Sequence, residues 1–495
     1  MTAMSTSYLA IDVGGGSGRG IVGTLEGRRL TLREVHRFAN YHVPVAGRDY
    51  WDLFHLFHEM IECVRRAQRE HGDLSSFCVD LWGNDIAFLD KNGQPIGYPW
   101  CTRNSDGSAM EAFFRDVMPP EAYFMQCGSQ VRRGNAVFQL YERMLERDPA
   151  LAHAGRILTL PDLFGYFFTG RAYSEFTIAT TTQLIDPFTG GWNGRLVRAL
   201  GLPEHLFGEI VLPGTRRYDL LPGVLPEAAG RLKYAPAASH DTASAVTTLT
   251  VAPDEAFCSS GTWSIIGAEC DGPTINREVL AYNFSNEGCA DGRWRLQKDI
   301  MGMWCMQNLH RGLCETTGPL SWDEIVRQAE AAEPFRSLVN LEEPVFVSDA
   351  DPAETIRAYC GKTGQPVPAA LGEIARCVYE SMALQYRQTL AQLRELSGRE
   401  FTKLRIVGGG GKNDFLNQMI ADAARMRVEA GPYESASVGG ILLQAAAEGK
   451  IQTADFPEIV RSSFEVRTFT PREERAPLWD AAADRYREYC GKMVL

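Results

Sequence analysis

The sequence predicts an α/β protein built as two halves, and three observations predict it. The chain opens with an apolar strand, a run of glycine and serine, and a second apolar strand, in AIDVGGGSGRGIV at residues 10–22. The same grammar returns about halfway along, in EAFCSSGTWSIIGAEC at residues 255–270. At 495 residues the chain is too long for one hydrophobic core, so two domains are the natural expectation.

The elements follow in order. YLAIDV reads as a buried strand, and GIVGTLEGRRLTLREVHRF as two more strands joined by a turn at Glu26-Gly27. DYWDLFHLFHEMIECVRRAQREHG carries apolar residues three and four apart and stops at Gly72, which predicts a helix with a glycine cap. SFCVDLWGNDIAFLDKNGQPI reads as strand, break, strand, with Asn92-Gly93 as a hairpin turn. Residues 135–230 are mixed and mostly helical, and KYAPAASHDTASAVTTL is a short extended run leading into a helix. ALGEIARCVYESMALQYRQTLAQLRELSG is a long amphipathic helix, and KLRIVGGGGKNDFLNQMIADAARM is strand, glycine loop, helix. The boundary between the halves falls near 246–254, around Val251-Ala252-Pro253-Asp254.

Composition narrows the partners. Hydrophobic residues make up 45% and charged residues 23%, as in an ordinary soluble protein. A net charge of −12 leaves no basic excess for phosphate backbones, so nucleic acid is not expected as a partner. The twelve cysteines show no CxxC pair and no accompanying histidine cluster, which argues against zinc and for reduced core thiols. The N-terminus has no basic, then apolar, signal pattern, and no apolar run reaches about 18 residues. A cytoplasmic protein with no membrane association is expected.

The glycine loop has three readings: a dinucleotide turn, an ordinary hairpin, or a loop that touches phosphate. Gly18, Gly20 and Gly23 match GxGxxG. That fingerprint needs a helix after the loop to receive the pyrophosphate, and here a strand follows. A nicotinamide oxidoreductase therefore rests on a weak motif. GGGGKN at 408–413 has Asn413 where a P-loop needs Ser or Thr. Two glycine hairpins with hydroxyl residues, plus a third glycine loop after a strand, favour phosphate contact, because bare backbone N–H groups can approach phosphate oxygens closely.

Eight segments carry a family resemblance: IDVGGGSGR (11–19), LTLREVHRF (30–38), DLWGNDIAFLD (80–90), EFTIATTTQL (175–184), ASHDTASAV (238–246), SSGTWSIIG (259–267), IMGMW (300–304) and RIVGGGGKNDFLNQMIADA (405–423). On these, over nearly its whole length, the sequence resembles the FGGY carbohydrate kinases. The resemblance implies a two-domain actin-like (ribonuclease H-like) α/β fold with ATP in the interdomain cleft. It implies an N-terminal domain over 7–248, a C-terminal domain over 254–450, and a tail, 451–495, packed on the second domain. The implied activity is ATP-dependent phosphorylation of a ketose, L-rhamnulose first, with L-fuculose or a pentulose as the alternative. A catalytically silent actin-like nucleotide-binding protein is the rival from another class. A monomer or homodimer is expected.

The resemblance also assigns roles. Asp241 matches the catalytic base, a carboxylate able to accept the proton of the attacking hydroxyl as the bond to phosphorus forms. Trp82, Gly83, His240, Thr242 and Asp299 match the sugar side. Gly15, Gly16, Ser17, Gly18 and Arg19 match a phosphate cradle, with Thr262, Gln307, Gly409, Gly410 and Asn413 on the nucleotide from the second half. Asp12 matches a neighbour of the Mg²⁺ that accompanies ATP, acting through water. Three departures bear on the sugar and the nucleotide. Gly15-Gly16-Ser17 replaces an Ala-Ser-Ser run, Leu81-Trp82-Gly83-Asn84-Asp85 replaces TWGVD, and Asp299 replaces a common Asn. An ionised Asp only accepts hydrogen bonds where Asn both donates and accepts.

Overall fold

The structure, a computed structural model, describes residues 5–101, 105–249, 251–347 and 351–490. The chain forms two compact units. One comprises 1–250, 269–296 and 434–464; the other comprises 251–268, 297–433 and 465–495.

In the first unit a six-stranded sheet runs in the order Tyr218–Asp219, Lys233–Tyr234, Ser76–Leu81, Thr6–Val13, Ser17–Glu26, Arg29–Ala39. Thr6–Val13 is buried without alternation from Tyr8 onward, as a central strand covered on both faces must be. It pairs antiparallel with Ser17–Glu26 and parallel with Ser76–Leu81, which sets Asp12 opposite Arg19 on one side and beside Asp80 on the other. One face is covered by the helix Leu53–His71. Asp52 caps its start by accepting the His55 N–H at 3.1 Å, and Gly72 ends it at φ 74°. Its apolar stripe, Leu56, Met60, Cys63 and Val64, packs into one core with Leu9, Ile11, Val22 and Phe77.

The opposite face is covered by a helix from far along the chain, Ser435–Ala447. Its Val438, Ile441 and Leu442 share a core with Tyr8, Ala10, Cys78 and Ala243. Gln444 fastens it to the sheet, donating to the Leu9 carbonyl at 3.0 Å and accepting from the Ser76 hydroxyl at 2.8 Å. The linear partition expected from the sequence therefore differs from the packing. Residues 434–450 and the first part of the 451–495 tail, through Phe464, belong with the N-terminal unit, because that sheet face needs an apolar cover.

The glycines of the GxGxxG match answer to space. A Cβ on Gly18 would meet the Phe38 ring at 2.2 Å, one on Gly20 the Cys63 Sγ at 3.0 Å, and one on Gly23 the Ile441 Cδ1 at 2.6 Å. All three lie on the strand Ser17–Glu26, so no helix starts there and the dinucleotide reading falls.

In the second unit the strands Trp263–Cys270, Glu255–Ser260, Lys403–Val407, Arg427–Ala430 and Arg467–Phe469 lie side by side in that order. The second hairpin repeats the first: Glu255–Ser260 is antiparallel to Trp263–Cys270 and parallel to Lys403–Val407. The helices Leu371–Ser397 and Asp414–Ala424 pack on each other, and Tyr386 in the first donates to the Ser264 hydroxyl at 2.6 Å. Among the described residues no helix is long and apolar enough to cross a membrane. The cysteines whose side chains are described are free thiols, nine of them buried.

Candidate active site

The sugar-side candidates of the first unit converge through the backbone. The strand Ser76–Leu81 ends in the Trp82–Asp85 turn, and Leu81 bridges to His240 in parallel, with its N–H donating to the Ser239 carbonyl at 2.9 Å. That pairing sets the turn against the His240-Asp241-Thr242 run, whose last two residues begin the helix Asp241–Thr247. The turn has little room. A Cβ on Gly83 would come within 2.9 Å of Thr181, and Asn84 sits in the left-handed region at φ 74°. Asn84 takes part in three hydrogen bonds that hold it there. Its N–H donates to the Thr181 hydroxyl at 3.1 Å, while its side-chain and main-chain oxygens accept from Gln183 and Gln139. Asp85, buried, accepts the indole N–H of Trp82 and of Trp51, each at 2.6 Å. Trp82 is thereby fixed in place.

Asp241 Oδ1 accepts from the Thr242 N–H at 2.6 Å and the Thr242 hydroxyl at 3.2 Å, and His240 Nε2 lies 3.5 Å from it. His240 is buried, and burial first, then the Arg295 guanidinium, holds its imidazole well below the usual range, so it is neutral. Arg295 is wholly buried. Its Nη2 lies 3.5 Å from His240 Nδ1 and 3.4 Å from Glu287 Oε2, and its Nε and Nη1 have no hydrogen-bond partner among the described residues. Each unpaired buried donor costs about 1–3 kcal/mol. A sequence reading has no signal for Arg295, because its partners lie 55 and 8 residues away.

Glu175 anchors the same region from below. It caps the helix Phe176–Thr180 by accepting from Thr177 and Ile178, and it accepts the Ser239 N–H at 2.9 Å. Burial pushes its carboxyl up to about 7, against the pull of those donors.

The first glycine hairpin turns over Gly14, Gly15, Gly16 and Ser17, closed by the Gly14 N–H to the Ser17 carbonyl at 2.9 Å. Asn40, a residue the sequence reading missed, pins it by donating its side-chain amide to the Gly14 carbonyl at 2.8 Å and its own N–H to the Gly16 carbonyl at 3.2 Å. Arg19 grips Asp12 Oδ2 through Nη2 at 2.7 Å and Nε at 3.1 Å, and Glu434 through Nη1 at 2.8 Å. Asp80 stands next to Asp12, wholly buried, with no hydrogen-bond partner on either oxygen among the described residues. Burial first, and then the Asp12 and Asp241 carboxylates, push its acid well above the usual carboxylate range.

The second unit gathers the remaining nucleotide candidates. Thr262 donates to Gln307 Oε1 at 3.1 Å, so two residues 45 apart in sequence meet. The turn holding Thr262 rests on the start of the helix Trp304–Thr317, with the Met303 N–H on the Gly261 carbonyl at 3.0 Å and the Trp304 N–H on the Thr262 carbonyl at 3.2 Å. A Cβ on Gly410 would fall 2.2 Å from Ser260 Oγ and would force that side chain to move, whereas Gly409 faces open space. Asn413 caps the helix Asp414–Ala424 by accepting the Leu416 N–H at 3.1 Å. Asp299 is half-buried in the second unit, on the strand Trp294–Met301.

Two glycine hairpins open two α/β units, and an acidic residue heads a helix beside a glycine turn, an arrangement that fits a phosphotransferase of the sugar-kinase class. The N-terminal and C-terminal domain models of the FGGY family of carbohydrate kinases match residues 7–245 and 256–448, and the chain belongs to that family. It is a carbohydrate kinase, and ATP use goes with that class. It is 38% identical over 483 residues to a rhamnulokinase of Bacteroides thetaiotaomicron, covering 97% of this chain and 98% of that one. It is 35% identical over 494 residues to a rhamnulokinase of Enterococcus faecalis, covering 99% and 98%. Among solved structures, the fold matches the ligand-bound xylulose kinase from Lactobacillus acidophilus with a TM-score of 0.81 at 14% identity, over 98% of each chain. It matches the glycerol kinase from Plasmodium falciparum with ADP at 0.77 and 15% identity, over 99% of each.

Proposed function

We propose that this carbohydrate kinase transfers the γ-phosphoryl group of ATP to O1 of L-rhamnulose, giving L-rhamnulose 1-phosphate in sugar catabolism. The observation that carries the reading is the Leu81–His240 pairing, which sets the Trp82-Gly83 turn against Asp241. Relatives at 33–38% identity over at least 93% of the chain bear the name rhamnulokinase, and that supports this choice among ketoses.

Asp241 accepts the proton of the sugar hydroxyl as the new bond to phosphorus forms. Trp82, Gly83, His240 and Thr242 hold the ketose, with Asp299 as a further contact. Phosphate oxygens lie against Gly15, Gly16, Ser17 and Gly18, and Arg19 supplies a fixed positive charge. Thr262, Gln307, Gly409, Gly410 and Asn413 take the nucleotide. The open space at Gly16 and Gly409 fits that reading, since nothing lies within 4 Å of a Cβ built there.

Among the described residues no group of three or more His, Cys, Asp or Glu could hold a metal ion unaided. Asp12 fits Mg²⁺ all the same, because Mg²⁺ keeps most of its waters and binds through one or two carboxylates plus substrate phosphates. Such an ion would neutralise developing charge on the phosphates. The free, mostly buried thiols suit a cytoplasmic enzyme.

The test is ADP release by the purified protein with ATP·Mg²⁺ and L-rhamnulose, L-fuculose, L- and D-ribulose, and L- and D-xylulose. Preference for L-rhamnulose is expected. Preference for another ketose would reject the substrate and point to the Trp82–Asp85 turn and Asp299 as its determinants. No sugar-dependent release from folded, ATP-binding protein would reject this panel as substrates.

A further inference from the structure

Arg295 is an arginine with no exposure, close behind the base, and no assignment above uses it. Three charged groups face the His240 ring: Arg295 and Glu287 at Nδ1, at 3.5 and 3.4 Å, and Asp241 at Nε2, at 3.5 Å. The ring is neutral, so one nitrogen carries the proton and the other a lone pair. Were the proton on Nδ1, it could be donated to Glu287 Oε2, but it would face the N–H groups of Arg295, and the Nε2 lone pair would face the Asp241 oxygen. Were it on Nε2, that N–H would point at Asp241 Oδ1 and the Nδ1 lone pair would accept from Arg295. Nη2 carries two hydrogens, and it approaches His240 Nδ1 at 3.5 Å and Glu287 Oε2 at 3.4 Å. A guanidinium never supplies a lone pair, so Arg295 can only favour the second arrangement.

We infer that Arg295 is a positioning residue that locks His240 in its Nε2–H tautomer, so that His240 steadies the Asp241 carboxylate. Glu287, an acceptor at the same nitrogen, pulls toward the opposite tautomer, and Arg295 at Nδ1 together with Asp241 at Nε2 outweighs it. The inference rests on the reading of Asp241 as the base for its kinetic consequence, but the tautomer itself does not.

The experiment is NMR of the full chain labelled with ¹⁵N-histidine, with the His240 signals assigned by their loss in His240→Asn. Wild type is expected to show Nε2 protonated and Nδ1 bare. Glu287→Gln is expected to keep that state, and Arg295→Met to move the proton to Nδ1. In steady state, Arg295→Met is expected to lower kcat about tenfold, short of the loss of a whole base, with the ATP KM within about twofold of wild type. Arg295→Lys, which still donates, is expected to restore the tautomer and part of kcat.

Nδ1 protonation in wild type, or a proton that moves in Glu287→Gln, overturns the inference. Those two measurements decide it even where Arg295→Met does not fold. Asp241→Asn is measured alongside. If it keeps kcat, the base reading fails by itself. If it is dead while Arg295→Met keeps wild-type kcat and tautomer, the positioning role fails and the base stands.

Discussion

Asp241 illustrates how little of a residue's role its immediate neighbours settle. An aspartate in the first turn of a helix is ordinary, because it complements the helix dipole. What separates this one is that Thr242 and His240 both address the same oxygen, while Asp80 lies buried in the sheet behind. Asp241→Asn is expected to cut kcat by about 10²–10⁴ and to leave ATP affinity by calorimetry nearly unchanged. Glu175 supports a second prediction at this scale. Its folded-state pKa, about 7, lies above the 4.5 of the unfolded chain, so the native state holds this proton more tightly. Its contribution to stability is then complete below pH 4.5 and is lost as pH rises toward 7, by roughly 3 kcal/mol. Denaturant unfolding across that window should fall less steeply for Glu175→Gln than for wild type.

Among the elements, the helix Ser435–Ala447 and the two glycine hairpins matter most. Gly439 lets the helix approach the helix Asp241–Thr247, since a Cβ there would land 1.9 Å from the Ser244 carbonyl oxygen. Gly439→Ala must push the helices apart. A loss of about 1–3 kcal/mol is expected from overpacking, read as a lower melting temperature, whereas Gly16→Ala, with nothing within 4 Å, should melt close to wild type. The hairpins were legible in the sequence because a run of small residues between two apolar strands is a local pattern. The strand Thr6–Val13, the cap at Gly72 and the turn at Asn92-Gly93 were legible for the same reason. Asn40, Asp85, Trp51 and Arg295 were not, because each acts through partners from other strands or loops, and no periodicity marks them.

The whole molecule departs from a linear plan. The N-terminal unit takes back residues 434–464, and with them Glu434, which pairs with Arg19, and Gln444, which is bonded to both central strands. A chain ending at residue 433 should therefore leave Tyr8, Ala10 and Cys78 uncovered. It is expected to aggregate or to lose cooperative unfolding, measured by calorimetry and light scattering.

The sequence by itself determined the α/β class, the two glycine hairpins, the family and its chemistry, because strand patterns, turn residues and short motifs are local. Only the tertiary structure decided which helix closes the first sheet, which glycines are glycine for want of space, and which buried charges stand behind the candidate base. Those depend on surfaces that meet only after the chain has folded back over more than 400 residues.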